Sequence, residues 1–343
     1  MTQLYRRLLA VWSALATRVR RLLSWVEVAL SYTRSHRQII HAWPDTPPSP
    51  GPKVAIFVHF DGQGRVGQHV LHYVASLREA GFSVLFVTNS GKLREDAMMA
   101  LKPLCAGILI RRNIGYDFGA MREGLEYLGL PRGDTELVLL VNDSIYGPLA
   151  PLEPILARID LEAADLWGAT ESWQTRYHLQ SFFLAAGRAA LTSPAWHRFW
   201  RGVRPVKSKD WVIKHYEIGL TQRLLRAGIR CAALWPYQDL VRNVDANPIM
   251  DEAPDDPLLK MRHIHAFRLR HYVATRTPLN PSSDLWRQLL LAGFPFIKRE
   301  LIRLNPSHVA DVVDWRHVVT ENYGGAPAAI EDDFQRTMRN KVP

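Results

Sequence analysis

Four short runs in this 343-residue chain set carboxylates beside groups that bind anions or hydroxyls. His59-Phe60-Asp61 closes an apolar run. A carboxylate there can accept hydrogen bonds from a nucleoside base or a ribose, or it can cap its own loop. Arg111-Arg112-Asn113-Ile114-Gly115-Tyr116-Asp117-Phe118-Gly119 combines two arginines, two glycines and the start of a helical pattern, a combination suited to cradling a diphosphate. Asp117 also fits a helix cap. Leu139-Leu140-Val141-Asn142-Asp143-Ser144 runs from an apolar strand into three polar residues, which a buried strand tolerates only if they face a cleft. Asp143 is a hard oxygen ligand of the kind Mg²⁺ or Mn²⁺ takes beside substrate phosphates. In Lys214-His215-Tyr216-Glu217-Ile218-Gly219-Leu220-Thr221, Glu217 stands early in a helical pattern and fits a general base for a hydroxyl proton, or a solvated partner of Lys214.

Three further features carry weaker signals. His178-Leu179-Gln180-Ser181 follows Trp167 and Trp173, and aromatic faces beside polar groups suit a sugar ring or, equally, an ordinary core. His263 and His265 in Arg262-His263-Ile264-His265 share one face if the segment is a strand. His265 then becomes a candidate second metal ligand beside Asp143. Gly62-Gln63-Gly64-Arg65-Val66-Gly67 fits the dinucleotide pattern G-x-G-x-x-G between a strand and a helix. However, the second strand ends Val87-Thr88-Asn89-Ser90, without the acid a ribose diol requires. An NAD(P)-dependent oxidoreductase therefore stands as an alternative resting on this loop alone.

The elements that must position these groups alternate. Strands are predicted at Val54–Phe60, Val84–Thr88, Ile108–Ile110 and Leu137–Val141. Helices are predicted at Val66–Ala80, Leu93–Leu104 and Asp117–Leu128. This order predicts an α/β, Rossmann-type doubly wound sheet with its ligand at the carboxyl ends of the strands. Beyond residue 150 the pattern turns to mixed α+β, with helices expected near Ala189–Arg201, Trp211–Ala227 and Asp284–Leu291.

The chain divides by composition into a basic amphipathic leader helix (1–43), a Pro-rich linker (44–53), two halves (54–150 and 151–306) and a tail (307–343). Seven arginines against the single acid Glu27 give the leader +6 of the total +10. The body is thus nearly neutral, which argues against nucleic acid as a partner. Leu4, Leu8, Trp12, Leu15, Val19, Leu22, Leu23, Val26 and Leu30 recur at helical spacing opposite the arginines. They predict an N-terminal amphipathic helix over 4–30, lying on an anionic membrane surface or docked on its own domain. Eleven Trp, 11 Tyr and 12 Phe provide for a real core, and two widely separated cysteines fit a reducing, cytoplasmic setting.

Taken in order, these segments resemble a GT-A glycosyltransferase. Arg112-Asn113-Ile114-Gly115 stands for the R-N-x-G loop and Asn142-Asp143-Ser144 for the acidic metal motif. Glu217, with Leu220, Arg223 and Leu224, stands for the base helix. More narrowly, residues 53–306 resemble the rhamnan synthesis protein F family. The specific segments are Asn113–Gly119, Asn142–Ser144 with Gly147-Pro148, His178–Phe183, Tyr216–Thr221, and Pro295–Leu301 with Asn305-Pro306. The resemblance implies a GT-A-like fold and transfer of a sugar, dTDP-rhamnose being the expected donor, to a lipid-linked glycan at the inner membrane face, with inversion. It implies donor contacts from Asp61, Arg111, Arg112, Asn113, Gly115, Asp117, Asn142 and Asp143. Acceptor contacts would come from His178, Gln180 and Ser181, catalysis from Glu217, and a divalent cation would sit on Asp143. A single carboxylate at the metal motif leaves the metal open, and a non-catalytic role in polysaccharide assembly, through the leader and Lys298, Arg299 and Arg303, stands as a further alternative.

Overall fold

The computed structural model describes Trp12, Val19, Leu22, Leu23 and residues 25–34, 37–245, 255–325 and 328–339. Its strands are β1 (Ile39–Trp43), β2 (Lys53–His59), β3 (Ser83–Thr88), β4 (Gly107–Arg111), β5 (Leu137–Asn142), β6 (Ile145–Tyr146), β7 (Leu166–Ser172), β8 (His178–Leu179), β9 (Phe183–Gly187), β10 (Cys231–Trp235) and β11 (Ile297–Lys298). They build a nine-stranded sheet in the order β1-β4-β3-β2-β5-β9-β7-β10, with β8 on β7, and a small β6–β11 pair. The sheet is mixed. β4, β3, β2 and β5 run parallel, β9 runs antiparallel between β5 and β7, and β10 is parallel to β7.

The four predicted strands are β2 to β5. Their near-continuous Val, Ile, Leu and Phe suit strands covered on both faces, and β2, β3 and β5 are buried almost throughout. Two apolar layers do the covering. Tyr73, Val74 and Leu77 of helix Gln68–Glu79 pack on one side. Phe118, Met121 and Leu125 of helix Tyr116–Leu128 pack on the other with Trp196, Phe199 and Trp200. Gly124 lets that second helix close on the sheet, since a Cβ there would lie 3.0 Å from Ile56.

Several expectations are corrected. The leader does not run as a helix to residue 43, because Ile39–Trp43 is an edge strand antiparallel to β4. Residues 25–31 are helical, and most of 1–24 lies outside the described residues. The leader's end docks on the body. Arg34 pairs with Glu27 and donates to Pro205 O at 3.1 Å, and Trp25 meets Trp211 edge-on at 5.1 Å. The halves 54–150 and 151–306 share one sheet, since β5 pairs with β9. The tail includes two packed helices, Trp315–Tyr323 and Ala328–Arg339. Arg262–His265 lies in helix Pro257–Ala274, not in a strand. Asp256 caps that helix by accepting from Leu258 and Leu259 N, and Pro257 opens it, a stronger start signal than the alternation of histidines. The predicted helix 189–201 breaks at Pro194, which starts a new helix behind the Ser193 cap.

Candidate active site

Strands β2 and β5 are neighbours, yet the chain leaves β2 toward β3 on one side and reaches β5 on the other. The crevice above their carboxyl ends is therefore the natural opening in the sheet. A cleft of about 420 Å³ lies at the carboxyl end of β5, continuing over β9 and the end of β7. Asn142 and Ser144 enter it from the end of β5, Ser172 from the end of β7 and Gln174 from the turn after it, and Asp117 from the start of helix Tyr116–Leu128. His178, Gln180 and Ser181 form its wall, and Glu217 enters from the far side.

The start of helix Tyr116–Leu128 is tightly built. Gly115 adopts φ +85, and a Cβ there would stand 3.4 Å from Pro205 and 3.2 Å from Gly119. Tyr116 follows at φ 51, an unusual conformation for an aromatic residue, and its hydroxyl donates to Lys207 O at 2.9 Å. Asp117 is thereby set so that its Oδ2 accepts from Asn142 Nδ2 at 2.7 Å. Burial and the charges of Asp143 and Glu217 push the Asp117 carboxyl up to about 7, against the opposing pull of Asn142 and Arg111.

Glu217 ends a six-residue π-helical segment, Val212–Glu217, that passes into helix Ile218–Arg226. The wider turn replaces the continuous α-helix expected there, and such turns recur where a helix must aim a functional side chain. Glu217 Oε1 accepts from Ser181 N at 3.0 Å and from Ser181 Oγ at 2.9 Å, which fixes the carboxylate's direction. Gln180 is held by Thr170 at 2.7 Å and by Asn280 and Ser282 at 3.2 Å each. His178 Nδ1 donates to Arg176 O at 2.8 Å.

Two lysines complete the cleft: Lys209, which sequence reasoning did not single out, and Lys298, which it named only for a basic assembly surface and not for this site. Lys209 and Lys298 are its two lining cations, beside the carboxylates of Asp117, Glu217 and Glu300. Burial pulls the Lys298 ammonium below its ordinary value, and its nearest hydrogen-bond contact is Ser283 Oγ at 3.5 Å. The sequence offered one clue, a lysine between the apolar residues of Pro295-Phe296-Ile297 and the acid Glu300.

Other candidates are turned elsewhere. Arg111 is 1% exposed and points inward, donating to Glu123 at 2.8 Å, to Ile114 O at 2.8 Å and to Asn89. It shapes the 112–119 loop from within and does not line the cleft. Arg112 and Asn113 are exposed on that loop. Asp61 Oδ1 accepts from Gln63 N and Arg65 N at 2.9 and 3.0 Å, so it caps its own turn.

Asp143 lies beneath the cleft. Arg299 Nη1 reaches its Oδ2 at 3.0 Å and its backbone oxygen at 2.8 Å. The Arg299 Nη2 atom stands 3.4 Å from Asp333 on helix Ala328–Arg339. His265 is in another cluster, with Nε2 donating to Asp284 O at 2.9 Å and standing 3.7 Å from Asp311. Its expected pairing with Asp143 required a strand that is not formed. These residues do not by themselves form a site for a divalent cation. Asp143 is engaged by an arginine, the Asn142 amide by Asp117, and among the described residues no three His, Cys, Asp or Glu side chains are arranged to hold a metal.

The glycine loop fares likewise. A Cβ on Gly67, which opens helix Gln68–Glu79, would lie 3.4 Å from the Asp333 carboxylate. The helix N-terminus where a pyrophosphate would sit already faces the chain's own anion, which disfavours a dinucleotide there.

Residues 84–278 match the family model for rhamnan synthesis protein F. The chain belongs to that family. The match includes the loop of Asp117, the Asn142–Ser144 turn, the Gln180 wall and Glu217, and it leaves out the Lys298–Glu300 segment. The virulence protein VirA of Vibrio anguillarum is 28% identical over 230 residues, 66% of this chain and 71% of its own length. The uncharacterized protein y4gN of Sinorhizobium fredii is 26% identical over 185 residues, 51% of this chain and 48% of its own length. Among solved structures, a Pyrobaculum calidifontis mannosyltransferase in complex with GDP-Man and Mn²⁺ is similar at a TM-score of 0.36 and 12% identity, over 96% of this chain and 91% of that one. The glycosyltransferase GlyE of Streptococcus pneumoniae is similar at 0.39 and 10% identity, over 84% and 64%. Both structural likenesses are loose.

Proposed function

We propose that this rhamnan synthesis F family member is a glycosyltransferase of GT-A type. It moves a sugar from a nucleoside-diphosphate donor, dTDP-rhamnose being the reading the family name favours, to a hydroxyl of a lipid-linked cell-surface glycan. The observation that carries this reading is the cleft. Six separated segments converge at the carboxyl end of β5, and Glu217 is held there by two hydrogen bonds from Ser181.

In this reading Glu217 takes the proton of the acceptor hydroxyl as its oxygen attacks the anomeric carbon. The bond from that carbon to the diphosphate breaks, and the nucleoside diphosphate leaves with the electron pair. Attack opposite the leaving group inverts the anomeric centre. Lys298 and Lys209 face the charge that develops on the departing diphosphate. Gln180 and His178 offer polar groups to the sugar hydroxyls, while their own networks keep them in place. In this reading Asp143 stays paired with Arg299 at 3.0 Å during the transfer. The basic leader would bring the enzyme to the inner face of the membrane.

The test is turnover of a panel of nucleotide sugars by the purified chain, with the anomeric configuration of the product read by NMR. Glu217→Gln should lower turnover by about 10²–10⁴-fold and leave donor-induced thermal stabilisation in place. Full activity of that variant would overturn the assignment of the base. No turnover of any nucleotide sugar with any glycan acceptor would overturn the function.

A further inference from the structure

Helix Pro257–Ala274 lies apart from the cleft residues and carries a surface that the transfer chemistry does not use. Its inner face is conventional, with Leu269 and His265 buried. Its outer face is not. Met261, Ile264 and Phe267 recur at a spacing of three on one stripe and are 40%, 46% and 63% exposed. On the other flank of the helix Leu259 is exposed and, with Leu291, 57% exposed, lines a shallow groove of about 390 Å³ that the stripe does not enter. Val313 protrudes from the 3₁₀ turn Ala310–Asp314, which packs on this helix. A run of large apolar side chains presented together marks a surface that water is not meant to cover.

Along the helix itself the charge is basic. Asp255 and Asp256 stand at the first turn, and from Pro257 to Ser283 there is no acid, against Lys260, Arg262, Arg268, Arg270 and Arg276. The carboxylates nearest below, Asp311 and Asp314, are 1% and 4% exposed and are taken up by Arg262 and Arg287. Arg268 donates to neutral groups, the Tyr272 hydroxyl at 3.3 Å and the carbonyls of Ser307 and His308, so these contacts leave its charge uncompensated. The outward field is therefore cationic, while the centre of the surface is apolar. That pairing complements a bilayer with anionic headgroups, where the cations meet phosphates and the apolar stripe enters the acyl boundary. Among the described residues no helix is long and apolar enough to cross a membrane.

We infer that the outer face of helix Pro257–Ala274 is an interfacial membrane-docking surface for anionic lipid. It is separate from the leader and does not rest on the glycosyl-transfer reading. In the full chain, co-sedimentation with vesicles of phosphatidylcholine and phosphatidylglycerol is expected, with weaker binding to phosphatidylcholine alone. The combined variant Met261→Gln, Ile264→Gln, Phe267→Gln should lose binding by about tenfold or more. Its melting without lipid should match the parent, since all three side chains are exposed. Lys260→Glu with Arg276→Glu should remove the preference for phosphatidylglycerol. A nitrobenzoxadiazole dye on Phe267→Cys should shift to the blue when vesicles are added. Unaltered partitioning of the combined variant, or a label that stays in water while the protein is bound, would overturn the inference. So would a change in self-association on sedimentation with vesicle binding intact, which would show that a second copy covers the stripe.

Discussion

Two carboxylate clusters lie on either side of the β5–β6 turn, and their chemistry differs. On one side Asp333 and Asp143 are threaded together by Arg299, with Arg336 and the Tyr146 hydroxyl also bound to Asp333. Burial alone would raise the Asp333 carboxyl, yet its neighbours hold it below the usual range. Burial pushes His69, 3.6 Å away, down to about 3. The neighbours that hold Asp333 down are the His69 ring, the hydrogen bond from the Tyr146 hydroxyl, and then Arg299 and Arg336. On the other side Asp117 and Glu217 share a cleft with two lysines that lie within 4 Å of neither carboxylate, and the Asp117 carboxyl rises to about 7. Where each buried acid has its own arginine, the cluster is a strut. Where acids face one another across a cleft, the cluster is left with unspent electrostatics that a ligand can use.

The sharpest way to break this contrast is to remove a member of each cluster. Glu217→Gln should cost about 10²–10⁴ in turnover with little change in melting temperature. Arg299→Met should do the reverse. It leaves Asp143 and Asp333 without their shared cation and should cost about 3–5 kcal/mol of stability, read as a large fall in the urea midpoint. If Arg299→Met kept its stability and lost only activity, Arg299 would belong to the cleft chemistry instead.

Asp117→Asn sharpens the contrast through pH. A carboxyl raised in the folded state stabilises that state only while protonated. Its contribution is full below its unfolded value, near 4, and is lost as pH rises through about 7. The variant should therefore melt higher than the parent at pH 8, with the gain fading toward pH 4. A constant offset across that range would mean that Asp117 is already paired. The smallest effect is expected at the rim. Arg316→Ala removes an exposed pair with Glu331 and should shift stability by no more than about 1 kcal/mol.

Much of the fold was legible because it depends on local pattern. The four apolar runs became β2 to β5, and the helices between them start and stop within a few residues of their predicted ends. The segments that reach the cleft were legible for a related reason. Asn142 and Asp117 are polar residues at the end of a buried strand and the start of a buried helix, and such groups need a cleft to face. Other assignments failed where distant partners decide. Arg111 looks like a diphosphate ligand in its motif, but Glu123 and Asn89 turn it inward. His263 and His265 alternate as in a strand, yet the Asp256 cap and Pro257 select a helix.

The sequence by itself determined which segments are buried, where the chain turns, and that a row of motifs belongs to one known family. Periodicity, caps and turn residues act over a few positions, and so they can be read directly. Only the tertiary structure decided which acid is a strut and which is available. Asp143 and Asp117 sit in equally suggestive motifs, and their fates separate because Arg299, 156 residues from Asp143, meets one of them. Coulomb energy depends on distance in space and on burial, and neither is written in the spacing along the chain.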